Sequence, residues 1–261
     1  MPVKRSNPVG KEKIVANKEE LFTVLKPILH DKGKLKAYLE KNSSLPGPRS
    51  NLELAFAFAA VCDDRALLLE WTAIPEKDAG VNDPRSFPAF CSVVALGKLF
   101  TTTGDTTLLG VVKNAARDGR WRMREAAAFA LQIIGEHDFT VLQHICSEWI
   151  DNADNLEKRA ILVALAHPPI LNKTNTAFCF KVTDRIVKTL VEDDDFEVLK
   201  KGLEFTISVF AAADPQAGFR FIEKWIGKSV KIDRIMKANL KKNRLVKKDP
   251  QEVKRLLGKL S

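Results

Sequence analysis

Apolar residues recur at intervals of three and four along most of the chain, the spacing of an α-helix with one buried face. No segment sustains the period-two alternation of a half-buried strand. The clearest stretch is Asp118–Gly135, where Met123, Ala126, Ala127, Ala130, Leu131, Ile133 and Ile134 fall mainly on one broad stripe. Its alanines allow a neighbouring helix to approach closely. Arg120, Arg122 and Arg124 occupy its first turns, where cations oppose the positive end of the macrodipole. Helix propensity therefore does not account for them.

Punctuation between the stripes sets the element boundaries. Asn17 with Glu20 has capping-box spacing. Asp83-Pro84, Asp214-Pro215 and Asp249-Pro250 pair a cap with proline at the first helical position. Asp138 and Asn155 start further helices, and another is expected from Asn175 to Val191. Two more are expected over Lys231–Lys242 and Pro250–Leu260. Pro27 lies inside the stripe of Leu21, Val24, Leu25, Ile28 and Leu29 and predicts a kink. Ser43–Arg49, with Pro46, Gly47 and Pro48, is a rigid loop, and Pro75–Asp83 is another. Asn51–Val61 is nearly all apolar and predicts a helix buried between layers. The total is about thirteen or fourteen helices, an all-α chain.

The helices recur in pairs. Val94-Ala95-Leu96, Phe129-Ala130-Leu131 and Val163-Ala164-Leu165 occupy equivalent places, with 35 residues from Leu96 to Leu131 and 34 from Leu131 to Leu165. Such a period in helix pairs signals an α-solenoid. Asp118-Gly119-Arg120-Trp121-Arg122-Met123-Arg124-Glu125-Ala126-Ala127-Ala128-Phe129-Ala130-Leu131 resembles the HEAT repeat, and imperfect copies cover roughly 83–245. The resemblance implies a right-handed α-α superhelix, HEAT/ARM-like, of paired antiparallel helices. More narrowly, the length and the tryptophans near helix ends resemble the HEAT-like alkylpurine DNA glycosylases. That resemblance implies DNA held on a concave basic face and a carboxylate beside aromatic residues assisting loss of an alkylated base. No carboxylate here maps to that role residue by residue, so no catalytic residue is assigned. The domain reading is a disordered basic arm over 1–16 and one HEAT-like domain over 17–261.

Charge changes this picture most at the ends. The chain carries 42 Lys+Arg against 33 Asp+Glu, a net +9. Gly227–Ser261 alone balances to +9 and the first eighteen residues to +4, which leaves residues 19–226 at −4. Such asymmetry points to an acidic partner: nucleic acid, specifically DNA, or an acidic protein. Solubility is the plainer reading of a lysine-rich end. No apolar run approaches the ~20 residues of a membrane span, and the N-terminus lacks a secretory h-region. Cys62, Cys91, Cys146 and Cys179 are widely spaced and flanked by apolar residues. They read as buried thiols in a cytoplasmic protein, without metal or cofactor.

The basic residues recur early in each repeat's second helix: Arg120, Arg122 and Arg124, then Lys158 and Arg159, Lys200 and Lys201, and Arg234 and Lys237. In a solenoid these residues form a ladder along one groove. Neighbours on a helix diverge by ~100°, so not all of them point inward. A basic groove suits a phosphate backbone. The competing reading pairs the ladder with Asp118, Asp151, Asp154 and Asp193–Asp195 to fix repeat stacking. Trp121, between two arginines, is the aromatic best placed to stack on a base, whereas Trp71, Trp149 and Trp225 read as core. Lys241, Lys242 and Arg244 extend the basic set into a run that also includes Lys247 and Lys248. Metal-binding histidine spacing, nucleophile elbows and phosphate-cradling glycine loops do not occur. The expected function is a non-catalytic scaffold binding DNA backbone. The alternatives are a glycosylase-like repair enzyme, for which Asp118, Glu125 and Asp151 are the carboxylates nearest Trp121, and a protein-interaction scaffold.

Overall fold

A computed structural model describes residues 18–260. The expected N-terminal arm and the Asn17 cap lie outside the described residues. Fifteen α-helices and no strand occur among the described residues. They are α1 (Lys18–Leu25), α2 (Lys32–Lys41), α3 (Leu52–Val61), α4 (Arg65–Thr72), α5 (Phe87–Thr103), α6 (Thr107–Ala115), α7 (Trp121–His137) and α8 (Phe139–Trp149). After these come α9 (Asn155–Leu165), α10 (Lys173–Lys188), α11 (Phe196–Ala213), α12 (Pro215–Trp225), α13 (Val230–Leu240), α14 (Asn243–Val246) and α15 (Pro250–Gly258).

Side-chain caps begin most of these helices. Asp31, Asn51, Asp64, Asp138, Asn172, Asp214, Ser229 and Asp249 each accept a first-turn backbone N–H. The start expected at Asn155 is capped one residue earlier, where Asp154 and Glu157 form a reciprocal capping box. Pro27 does not kink a continuing helix. It sits in a 3-10 turn, Lys26–Ile28, that ends α1, because it has no N–H to donate to the Thr23 carbonyl one turn back. Asp83-Pro84 likewise starts a 3-10 turn, Pro84–Ser86, that leads into α5.

Alternate helices form a row: α3, α5, α7, α9, α11 and α13 each pack on the next. α4 and α6 pack on α5, α6 and α8 on α7, α10 on α9 and α11, and α12 on α11 and α13. Leu96, Leu131 and Leu165, the repeated leucines, are fully buried in α5, α7 and α9. Polar ties along the row join residues 31 to 36 positions apart: Gln132 Nε2 to the Val163 carbonyl, Asn155 Nδ2 to Val191, and Asn239 Nδ2 to Leu203. Each tie spans a length close to the spacing of those leucines. At the α5–α7 contact the backbones nearly touch, and a Cβ at Gly97 would lie 2.5 Å from the Ala130 carbonyl oxygen.

The helix buried on all sides is α5, where every residue from Phe87 to Gly97 is buried. The expectation for Asn51–Val61 is corrected here, since α3 leaves Leu52 and Phe56 each 37% exposed. Phe56 instead reaches Phe129 of α7, with ring centroids 5.4 Å apart, and Phe129 lies edge-on to Phe90 of α5. Those rings help to cover the α5 face that the row leaves open. Trp71, Trp149 and Trp225 are buried, as are the four free cysteines. No helix among the described residues is long and apolar enough to cross a membrane.

Candidate functional site

The arginines at the start of α7 are explained by acceptors that lie mostly outside the helix. Arg120 is 2% exposed. Its Nε and Nη2 donate to Asp118 at 2.9 and 2.7 Å, and its Nη1 donates to the Ala79 carbonyl at 3.1 Å. Arg122 is 4% exposed and reaches two distant loops. It donates to the Val81 carbonyl and Asn82 Oδ1 in one loop, and to the Gly47 carbonyl and Ser50 Oγ in the other. Arg124 folds back onto the Asp118 and Gly119 carbonyls at 2.7 and 2.9 Å. Oxygens thus surround cations that the macrodipole alone would disfavour.

The local charge balance follows from this geometry. Burial raises the Asp118 carboxyl, but hydrogen bonds from the Arg120 side chain and backbone bring it below the ordinary value. Burial lowers the Arg122 guanidinium. Burial also lowers that of Arg124, with repulsion from Arg159 adding to the effect.

The next members of the ladder divide the same way. Lys158 is buried and donates to the Thr189 carbonyl at 3.3 Å. Arg159 pairs with Glu125 across the α7–α9 contact, and its stem lies over Gly202 of α11. Lys200 pairs with Glu197 at 2.9 Å, while Lys201 is exposed without a carboxylate partner among the described residues. Arg117–Asp154 and Arg185–Asp151 are further ion pairs.

A connected surface remains. Trp121 is 43% exposed, and one side of its ring is stacked by the Arg122 guanidinium 4.2 Å from the centroid. Glu125 is one turn on and therefore shares its helix face. Arg159 bridges from Glu125 toward α11, where Glu197, Lys201 and Phe205 follow at four-residue intervals on the exposed stripe. Phe205 in turn meets Arg244 of α14. Sequence spacing is enough to single out Trp121. Phe205 and Arg244 stand 39 positions apart, and only the packing of α14 on α11 joins them.

The C-terminal end is different in kind. Lys231 pairs with Glu192, Arg255 with Glu223 and Glu252, and Lys259 with Glu223. Arg234, Lys237, Lys241, Lys242, Arg244, Lys247 and Lys248 have no carboxylate partner among the described residues. Arg234 and Lys237 share one exposed stripe of α13 at i and i+3, and exposed Lys241, the residue that ends the helix, follows at i+7. Comparison with protein-family models, curated proteins and solved structures found no match to this chain.

Proposed function

We propose that the chain is a HEAT-like, right-handed α-α solenoid whose open face binds nucleic acid through the phosphate backbone, without catalysis. The observation carrying this reading is the set of unpaired cations on α13 and α14, which adjoins the exposed row of Lys201 and Phe205 through Arg244. Cations without carboxylate partners are available to neutralise phosphates, and the counterions condensed on the polyanion are then released, which drives association. The alternating row of helices supports the solenoid, and the repeat-length polar ties support regular stacking. Arg120, Arg122, Arg124 and Lys158 have their donors engaged within the protein, and Arg159 and Lys200 are paired with Glu125 and Glu197, so the binding face is carried by Trp121, Lys201, Arg234, Lys237, Lys241, Lys242 and Arg244.

Fluorescence anisotropy with a labelled duplex across a salt series tests this. Log affinity is expected to fall linearly with log salt. The double variant Lys237→Ala/Lys241→Ala is expected to make the slope shallower by about 0.9 for each phosphate that is no longer neutralised. Absence of binding to any polynucleotide at low salt would sink the proposal, and selective capture of an acidic protein would put the scaffold reading in its place.

A second reading rests on Glu125, which stands one turn from exposed Trp121 and opposite Arg159. A carboxylate beside an aromatic ring is the pairing a cationic alkylated base requires. If this reading holds, methylated DNA incubated with the protein releases free base, and Glu125→Gln stops the release. With no release above the buffer rate, the non-catalytic reading stands.

A further inference from the structure

Phe205 is a large apolar ring left 42% exposed on the stripe it shares with Lys201. It is held from behind by a buried polar tie. Asn239 of α13 is fully buried: its Oδ1 accepts the Ser208 N–H at 2.8 Å, and its Nδ2 donates to the Leu203 and Ile235 carbonyls at 2.9 Å. Ser208 Oγ donates to the Phe205 carbonyl at 2.8 Å. The backbone on both sides of Phe205 is therefore clamped to α13. The Arg244 guanidinium carbon stands 4.8 Å from the ring centroid, and Arg244 has no carboxylate partner among the described residues.

A phenyl ring offers a phosphate nothing, and neither does it attract a carboxylate. Its exposed area and an adjacent planar cation match one common ligand feature, the π-face of an unstacked nucleobase. In a closed duplex those faces are stacked inside and inaccessible. We propose that Phe205 and Arg244 form a stacking platform for an unpaired base, so that the preferred nucleic acid carries a single-stranded stretch at the α11–α14 end. This rests on the nucleic-acid reading above and specifies the kind of strand bound. The surrounding cations supply strand-independent attraction, while the ring supplies the preference for open bases.

The test compares a labelled oligothymidine with a duplex hairpin of equal phosphate number at one salt concentration. The parent protein is expected to favour the single strand. Phe205→Ala should weaken single-strand binding by about tenfold or more and leave duplex binding within twofold, removing the preference. Phe205→Trp should keep it, and Arg244→Lys, which retains charge but loses the planar group, should lose part of it. Thermal unfolding followed by circular dichroism checks that the variants fold, and Phe205→Leu, preserving apolar bulk, should behave as Phe205→Ala does. If the parent binds both probes and Phe205→Ala leaves their ratio unchanged, the stacking platform is wrong while backbone binding survives. If polyglutamate competes as well as oligothymidine, charge alone accounts for the patch and the platform fails. If neither polynucleotide binds, both readings fall together.

Discussion

The first turns of α7 and the α13–α14 segment are both rich in arginine and lysine, and the fold uses them in opposite ways. At α7, Arg120, Arg122 and Arg124 direct their donors to carbonyls and to Asp118, joining loops 43–51 and 75–83 to the centre of the helix row. At α13–α14, Arg234, Lys237 and Lys241 are exposed and Lys242 is half-buried, and no carboxylate among the described residues pairs with them. The difference follows from what surrounds each segment. Two long loops deliver backbone oxygens to α7, whereas α13 and α14 lie at the end of the row, with α11, α12 and α15 as their packing neighbours. Basic residues therefore mark stability in one place and available charge in the other.

Removing a single cation from each region gives the sharpest contrast. Arg122→Ala strands the Gly47 and Val81 carbonyls, Ser50 and Asn82, and withdraws the group stacked on Trp121. It is expected to cost about 3 kcal/mol, because several hydrogen bonds to a buried charged group disappear at once. Lys241→Ala leaves no acceptor unsatisfied and should change stability by no more than about 0.5 kcal/mol. Urea denaturation of the two variants measures both. Equal and small losses would mean that the Arg122 network contributes little, and the contrast between the regions would disappear.

The same contrast separates what the residue pattern reveals from what it hides. Helix stripes and caps are local, so the starts at Asp138, Asp214 and Asp249 are readable directly, and the 34- and 35-residue spacing of Leu96, Leu131 and Leu165 is readable with them. Burial around a helix is not local. α3 and α5 are similarly apolar, but α5 has packing partners on every side, and α3 keeps Phe56 partly in solvent. Acceptors are harder still to foresee. The oxygens that take up Arg122 belong to residues 40 to 75 positions away, and two of the four are backbone carbonyls, which every residue possesses and no residue type signals. The sequence pattern groups Arg122 with the other cations early in their helices, and nothing in that pattern puts it inside the protein. Phe205 has the opposite history: it is one phenylalanine among fifteen, and the placement of Asn239 and Arg244 around it is what distinguishes it.

The smallest expected effect concerns where the free charge stops. Glu223 of α12 receives Arg255 and Lys259 from the C-terminal end, and their hydrogen bonds hold its carboxyl far below the ordinary carboxylate value, at about 2. A carboxyl whose folded-state pKa is depressed stabilises the fold above its unfolded value. That contribution fades as pH falls from about 4 toward 2. Since Glu223 lies at the surface, the effect belongs to the end of the chain and is screened by salt. Arg255→Ala should raise the Glu223 midpoint part of the way back, with Lys259 still in place, as read from carboxyl chemical shifts in an NMR titration. The binding of polyanion by α13 and α14 should be unaffected, because Arg255 already serves Glu223 and Glu252 and contributes no free charge. A midpoint that does not move would show that the Arg255–Glu223 pair is not formed in solution. Arg255 would then be held by Glu252 alone, and the boundary of the free charge would move from α12 toward the last helix.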